Sequence, residues 1–468
     1  MEVGLAREGI ADMCSILSMP PPSTSTSYGQ HVRTVFQSSE EEEAEAQMAE
    51  AVKRARAVAV GGEDSGEEVI NLPVTFDGTW AKRGFTSNYG VGVVISADTG
   101  EVLDREVLSK ICDECNMKNQ MDKEGEDYKL WWEGHKNRCT KNFQGSSPAM
   151  EAATAKILWQ RSISKHKVKY SHMISDGDSK AFSEVQYIYG DSAGEAVEKL
   201  DCIGHVGKRM FRALDKIKKE TKGKLADGKT VGGGKGRLTG GQNGMVGKLS
   251  ELYRNAIRKN VDRLASKGDQ DKLENAKVKM QRAILAVLYH EVKLPDNSVR
   301  HQYCPTDDWC EYKNSGTMDD KDHHLDAVFL DLLLPTFQRL SESSLIERCI
   351  PGYTQNQTES FNALIWKRCP KHLWRGPLYV KTATNLAVLH FNCGALSSRN
   401  RMLQSLKLTS SHHTMVANMR KDRVRISAAD KACEESEKKK RKKQTKEKLV
   451  QEEDCVEREG VMYESGAF

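Results

Sequence analysis

The stretch VINLPVTFDGTW, residues 69–80, indicates the fold. Its apolar and β-branched residues predict a strand, and Asp77-Gly78 predicts a turn that leaves one carboxylate at the strand end. The run YGVGVVIS at 89–96 predicts a hairpin partner, and EVLDREVL at 101–108 predicts a third antiparallel strand after a tight turn. Taken alone, an aspartate in such a turn more often caps its own backbone than binds a ligand.

Composition and charge narrow the functional class. The chain has 468 residues, enough for two or three domains. Its net charge is +5, and the charges are unevenly distributed, with an acidic run at 39–50 and a basic block at 438–448. Such a block predicts nuclear localisation or nucleic-acid contact, although a solvated tail is an equally common explanation. We expect neither a membrane-spanning nor a secreted protein, because no apolar run approaches ~20 residues and residues 1–19 do not resemble a secretory signal. The twelve cysteines then favour reduced thiols or metal ligands over disulfides.

Shifts in composition predict five regions. Low-complexity and acidic sequence predicts a disordered leader over residues 1–66, in which any helix would bury little. Strand and helix patterns predict a core whose first part is 67–207 and whose last part is 346–405. Between them, residues 208–345 predict a helical insertion with basic outer faces, and 406–468 reads as a polar and basic tail.

Two pairs of residues after the third strand have the spacing of zinc ligands. Cys112-x-x-Cys115 is followed by His135-x-x-x-Cys139, and two close pairs of this kind close one tetrahedron in structural zinc sites. These ligands lie in a polar loop, residues 112–139, that has few core-forming residues of its own. A bound metal would give this loop order that its own core cannot supply. The alternative is four unrelated buried or free side chains. We expect a structural Zn²⁺, because all four ligands come from the protein.

A weaker zinc signal lies further on. Cys202-x-x-His205 is a lone pair, and His301, Cys304 and Cys310 could complete a second site with it. A packed cysteine and a hydrogen-bonded histidine explain Cys202 and His205 more simply.

A second acid follows another predicted strand. The run VKYSHMIS at 168–175 predicts the strand, and Asp176 follows it at a glycine turn. If the two strands are parallel neighbours, Asp176 and Asp77 lie close together, and carboxylate oxygens are the ligands that Mg²⁺ and Mn²⁺ prefer. The nearby Asp178 is the competing acid, which we expect to cap the following helix.

Glu359 provides a third acid. It lies in TQNQTESFN, residues 354–362, which predicts a helix with Glu359 and Asn362 on one face. An exposed helical acid is the ordinary explanation for such a residue. In RNase H-like nucleases and transposases, however, two aspartates at strand ends are followed in sequence by a distant helical glutamate. Asp77, Asp176 and Glu359 have this order.

Taken together, the motifs resemble the Mutator-like (MULE-type) DDE transposase domain of eukaryotic DNA transposons over roughly residues 68–400. Each motif is weak alone, and the combination is specific. The motifs are TFDGTW (75–80), CDEC (112–115), HKNRC (135–139), SSPAME (146–151), SDGDSK (175–180), CIGH (202–205), HQYCPTDDWC (301–310) and TQNQTESFN (354–362).

The resemblance implies an α/β, RNase H-like core: a mixed five-stranded sheet with flanking helices, a zinc-binding loop insertion and a mostly helical insertion before the last catalytic acid. By position, Asp77, Asp176 and Glu359 match the catalytic triad, which holds two Mg²⁺ or Mn²⁺ ions. Cys202 and His205 match a C-x2-H motif found after the second aspartate. The implied activity is the cutting of transposon ends and their joining to target DNA. The resemblance also implies that the protein acts on double-stranded DNA as a homo-oligomer, in the nucleus and with no membrane partner.

Two other functions fit the sequence. A domesticated or inactive transposase-derived protein would keep the fold and the basic faces for DNA or chromatin binding without using the triad. A plain RNase H-type nuclease would differ by its substrate, an RNA–DNA hybrid.

Overall fold

The computed structural model describes residues 7–31, 37–81, 86–175, 180–192, 194–265, 269–306, 308–316, 324–373 and 375–433. The chain divides into two compact units. Unit 1 comprises residues 1–200 and 354–424, and unit 2 comprises residues 201–353 and 425–468. The boundaries near 200 and 353 lie within eight residues of those expected for the helical insertion, 208 and 345.

Unit 1 contains both strands and helices, whereas unit 2 is almost entirely helical. In chain order they are α1 (Arg7–Ile16), α2 (Ser25–His31), α3 (Gln37–Val60), β1 (Ile70–Trp80), β2 (Tyr89–Ser96), β3 (Val102–Ser109), α4 (Asp113–Met117), α5 (Glu126–His135), α6 (Ser147–His166), β4 (Val168–Ser175), α7 (Lys180–Val185), β5 (Glu198–Asp201), α8 (Ile203–Glu220), α9 (Met245–Lys259), α10 (Gln270–Glu291), α11 (Asn297–Arg300), α12 (Glu311–Ser315), α13 (Phe329–Arg339), α14 (Ser343–Cys349), α15 (Asn356–Arg368), α16 (Pro377–Ser405) and α17 (His412–Cys433).

One mixed five-stranded sheet has the order β3-β2-β1-β4-β5. β1 is antiparallel to β2 and parallel to β4, and β2 is antiparallel to β3. The α/β class and the mixed sheet with flanking helices are therefore confirmed.

The turn expected at Asp77 and Gly78 is wrong, because β1 continues to Trp80 and stays paired with β2, with Asp77 opposite Val93.

Both faces of the sheet are covered. Since side chains alternate along a strand, β1 turns Leu72, Val74 and Phe76 toward one face, where they join a buried cluster with residues of α6 and β4. Within it the rings of Phe76 and Trp159 meet edge to face, with their centroids 5.8 Å apart. On the opposite face, β2 residues pack with α15 and α16. The buried residues shared there include Val91, Val93, Ile95, Phe361, Ile365, Val380 and Leu386.

The α3 helix differs from the disordered leader expected over residues 1–66. Its buried residues include Ala44, Met48, Ala51 and Ala55. Their spacing of four, three and four residues forms one helical stripe, and that stripe joins the buried clusters of the sheet. The acidic residues around the stripe make the composition resemble a disordered segment, whereas the alanines permit close packing.

Of the polar and basic tail expected at 406–468, the structure describes residues 406–433, which include the mostly exposed helix α17. A kink at Gly394, where φ is 80°, divides α16. The Asp422 carboxylate in α17 accepts hydrogen bonds from the backbone N–H groups of Ala395 and Leu396, at 2.8 and 2.9 Å. Asp422 therefore caps the second half of α16. The basic block at 438–448 lies outside the described residues.

Unit 2 is built around its own apolar core. Helices α8, α9, α10, α13 and α14 supply fully buried residues, among them Val206, Leu249, Tyr253, Ile284, Leu288, Phe329, Phe337 and Ile346. The Tyr253 hydroxyl donates to the Leu340 carbonyl at 2.8 Å, so the large polar side chain in this core is hydrogen-bonded. In the part of the chain that the structure describes, no helix has the length and apolar character needed to span a membrane.

Candidate functional site

Asp77 lies in the middle strand of the sheet and is half-buried. Alternation along β1 places Thr75, Asp77 and Thr79 on the face that α15 covers. Gly78 points the other way, where a Cβ atom would come within 2.8 Å of Glu151 Cγ in α6. Gly78 is thus required for close packing of α6 and not for a turn.

Helix α15 docks on β1 through a row of hydrogen bonds. The donors, Gln355 at the N-cap of α15 and three residues within the helix, lie on one helical stripe, which is why one face of the helix can follow the strand. They are Gln355 Nε2 to the Phe76 carbonyl (3.1 Å), Thr358 Oγ1 to Thr75 Oγ1 (2.9 Å), Asn362 Nδ2 to Asp77 Oδ2 (2.8 Å) and Trp366 Nε1 to Thr79 Oγ1 (2.8 Å).

Glu359 belongs to the same helix, between the residues that contact β1. It is exposed, whereas Thr358 and Asn362 beside it are buried. Residues three apart on a helix are neighbours on its surface, so Glu359 lies next to Asn362, which in turn donates to Asp77. The structure therefore brings Asp77 and the helix carrying Glu359 together.

The second predicted acid, Asp176, lies outside the described residues, as does its competitor Asp178. The structure describes β4 up to Ser175 and pairs Ile174 with Thr75 in the parallel register. The role of Asp176 stays a prediction.

The four predicted zinc ligands of the 112–139 loop come together. Cys112 and Cys115 lie at the start of α4, His135 ends α5, and Cys139 follows a 3₁₀ turn. Their ligand atoms all lie within 4.8 Å of one another. His135 Nε2 is 3.5 Å from Cys112 Sγ and 3.2 Å from Cys115 Sγ, and Cys115 Sγ is 3.5 Å from Cys139 Sγ. A tetrahedral zinc site separates its ligand atoms by roughly 3.3–3.8 Å, so this cluster could hold Zn²⁺.

The surroundings of this cluster also fit a metal. His135 is fully buried, and its Nδ1 lies 3.1 Å from Glu114 Oε2, the carboxylate–histidine pairing that orients ligands in zinc sites.

Burial and the neighbouring thiols Cys139 and Cys112 raise the pKa of Cys115 to about 12. Burial also acts to raise the pKa of Cys112, but hydrogen bonds from Thr140 and Cys115 outweigh it and bring that pKa to about 6.

A second group of ligand atoms lies in unit 2. His301, Cys304 and Cys310 gather with His290 of α10, and neither Cys202 nor His205 belongs to a metal-ligand cluster of the described residues. Cys202 is the buried N-cap residue of α8, whose first turn contains His205. Their assignment as zinc ligands stays a prediction.

Sequence reasoning missed three residues of these sites. Asn362 was placed on the face of Glu359, but its contact with Asp77 follows only from the docking of α15. Glu151 ends the SSPAME motif, but its packing against Gly78 depends on the docking of α6 on the sheet. His290 lies eleven residues before His301 on a regular helix, and this spacing matches no zinc motif.

Comparison with known proteins identifies the family. A family model described as Mutator-like transposase matches residues 1–310, about two thirds of the chain. The match begins before the region at 68–400 that the motifs indicated and ends before Glu359. No curated protein and no solved structure matches the chain. The chain belongs to the Mutator-like transposase family.

Proposed function

We propose that this protein is a metal-dependent DNA transposase that cuts and joins transposon-end DNA by two-metal phosphoryl transfer, with Asp77, Asp176 and Glu359 as its D-D-E triad. The observation that carries the proposal is the hydrogen bond from Asn362 Nδ2 to Asp77 Oδ2, which joins positions 285 residues apart. It ties the helix that carries Glu359 to the central strand that carries Asp77.

The fold also supports the proposed transposase function. β1 is the middle strand of a mixed five-stranded sheet with helices on both faces, as expected of an RNase H-like core. Ser175, the residue before Asp176, ends the strand that runs parallel to β1. Asp77 lies within β1, Asp176 follows its parallel neighbour β4 in the sequence, and Glu359 lies on a helix docked beside β1. Together these acids would provide the oxygen ligands that Mg²⁺ and Mn²⁺ prefer.

The residues have separate roles in this proposal. Two Mg²⁺ or Mn²⁺ ions, when bound, would supply activation of the attacking hydroxyl and stabilisation of the leaving oxygen. Asp77 would contribute to holding both ions, Asp176 to holding one and Glu359 the other. Asn362 holds the Asp77 carboxylate in one orientation, because its amide donates to Oδ2. No side chain forms a covalent intermediate, so positioning of the ions and the phosphate is the main contribution of the protein.

The remaining partners follow from the family. A transposase acts on DNA, and we propose that this one binds double-stranded transposon ends and target as a homo-oligomer in the nucleus. The cluster of Cys112, Cys115, His135 and Cys139 holds a structural Zn²⁺ that folds its loop, since polar loops of this kind gain their order from the metal.

The test is Mn²⁺-supported nicking of a supercoiled plasmid that carries the transposon ends. Asp77→Asn keeps the size of the side chain and the contact with Asn362 but removes the charge, so we expect nicking to fall at least 100-fold. Asp98→Asn, in the exposed turn between β2 and β3, is the matched control and should nick like the wild type. Undiminished nicking by Asp77→Asn would end the proposal.

A transposase-derived DNA-binding protein is the second candidate. It is favoured by the exposed Arg258 and Lys259 of α9, which suit a phosphate backbone. Salt-dependent DNA binding that is unchanged by metal and by Asp77→Asn, together with absence of nicking by the wild type, would select this function.

A further inference from the structure

Four side chains of unit 2 converge on one point. The ligand atoms of His290, His301, Cys304 and Cys310 all lie within 4.8 Å of one another. Cys304 Sγ is 3.6 Å from Nδ1 of both His290 and His301. Cys310 Sγ is 3.5 Å from His301 Nδ1 and 4.0 Å from His290 Nδ1. Both imidazoles thus turn the same nitrogen, Nδ1, toward both thiols.

These contacts join two parts of the chain, the end of one helix and a following connection. His290 lies in the last turn of the long helix α10, whereas His301, Cys304 and Cys310 lie in or beside the connection between the short helices α11 and α12. His301, Cys304 and Cys310 are all at most 1% exposed. Burial of an imidazole is costly unless it has a polar partner, and a cation shared with the two thiols would provide one for the fully buried His301.

We propose that His290, His301, Cys304 and Cys310 form a second structural zinc site, separate from the cluster at Cys112–Cys139. Tetrahedral zinc with two nitrogen and two sulfur ligands separates the ligand atoms by roughly 3.3–3.8 Å, close to the 3.5–4.0 Å between the nitrogen and sulfur atoms here. Thiolate and imidazole ligands in this number select zinc over Mg²⁺ or Ca²⁺, which prefer oxygen. All four ligands come from the protein, so the role is structural.

Neighbouring groups hold the ligands in place. The ring of Tyr312 stacks on His301 with a centroid separation of 4.5 Å, and Trp309 meets His290 edge to face at 4.8 Å. The buried Arg300 donates from Nε and a terminal nitrogen to the main-chain carbonyl of His290, at 3.1 and 3.0 Å. Packing and hydrogen bonds of this kind orient ligands around structural metals.

The site fixes one wall of a cavity in unit 2. The cavity has a volume of about 580 Å³ and is lined on one side by basic residues of α9 and α10, including Lys248, Lys279 and Arg282. Tyr303 and Trp309, from the connection that the zinc would anchor, line it as well. Loss of the metal therefore loosens this wall while the apolar core of unit 2 remains.

The experiment counts zinc in protein purified without chelator. Cys115→Ser/Cys139→Ser removes two ligands of the first cluster, and we expect this variant to retain one zinc per chain. Adding Cys304→Ser/Cys310→Ser should bring the count to zero. Adding Cys349→Ser instead, at a buried cysteine of unit 2 outside the cluster, should leave one zinc. A folded Cys115→Ser/Cys139→Ser protein without zinc, or a quadruple variant that keeps one, would overturn the proposal.

A measurement on the unmodified protein covers variants that fail to fold. Each cysteine is alkylated with iodoacetamide and quantified by peptide mass spectrometry, before and after treatment with a zinc chelator. We expect alkylation of Cys304 and Cys310 to rise at least tenfold after chelation, with Cys349 unchanged. Equal reactivity of Cys304 and Cys310 with and without chelator would contradict the zinc site.

Discussion

The replacement Asn362→Ala tests the arrangement of the candidate active site without touching a proposed ligand. The Asn362 amide donates to Asp77 Oδ2 at 2.8 Å, and Asn362 is only 9% exposed. A hydrogen bond to a charged group contributes about 1.5–3 kcal/mol, which corresponds to about a 10- to 100-fold change in an equilibrium constant. Loss of an outer partner of a metal ligand has effects of the same size. We therefore expect Asn362→Ala to weaken Mn²⁺ binding about 10- to 100-fold.

The assay is calorimetric titration of Mn²⁺ into protein whose zinc content has been checked and held constant. Asn356→Ala is the matched control, because Asn356 begins the same helix and is exposed; its affinity should stay within about twofold of the wild type, as for a surface substitution. Circular dichroism verifies that both variants keep their helices. If folded Asn362→Ala bound Mn²⁺ as tightly as the wild type, Asn362 would not orient a metal-binding Asp77, and the reasoning would fail.

Two further predictions concern the fold of unit 1. A Cβ at Gly92 would lie 2.6 Å from Thr154 Cβ in α6, so Gly92→Ala should lower the free energy of unfolding by about 1–3 kcal/mol in urea denaturation; a change below about 0.5 kcal/mol, typical of surface sites, would refute the close packing. Burial raises the pKa of Glu40 from 4.5 to about 7. The folded state then keeps a proton that the unfolded chain releases between pH 4.5 and 7, so stability falls as pH rises through that window. Glu40→Gln should therefore stabilise the protein by about 2–3 kcal/mol at pH 8 and hardly at pH 4.5, and equal denaturation midpoints of the two proteins at pH 8 would contradict this.

The sequence predicted the strands well and one turn badly. The bounds of β2 and β4 agree with the predicted runs, because alternating and β-branched residues mark a buried strand directly. Asp77-Gly78 has the composition of a turn, yet the glycine is needed for the approach of Glu151 from α6. A local pattern cannot separate a glycine that turns the chain from one that admits a neighbour.

The helix at Gln37–Val60 shows a second limit. Its alanine stripe has little hydrophobic signal of its own, and the acidic residues around it dominate the composition. The stripe becomes informative only when a partner with a matching surface is known, and that partner, α16, lies more than 300 residues further along the chain.

The residues of the candidate sites also differ in whether the sequence alone could reveal them. Ligands that are close in sequence, such as Cys112 with Cys115 and His135 with Cys139, could be found from spacing alone. His290 and Asn362 could not, because each joins its site through the packing of a helix. Contacts that depend on helix docking require the tertiary structure, whereas ligand pairs on one turn do not.

The most direct test of the proposed active site is to locate Mn²⁺ by anomalous diffraction from crystals of the protein bound to transposon-end DNA. We expect two Mn²⁺ ions beside the scissile phosphate, with Asp77 contacting both and Asp176 and Glu359 contacting one each. Mn²⁺ bound elsewhere on the protein, with none beside Asp77 and the scissile phosphate, would contradict the proposed two-metal site.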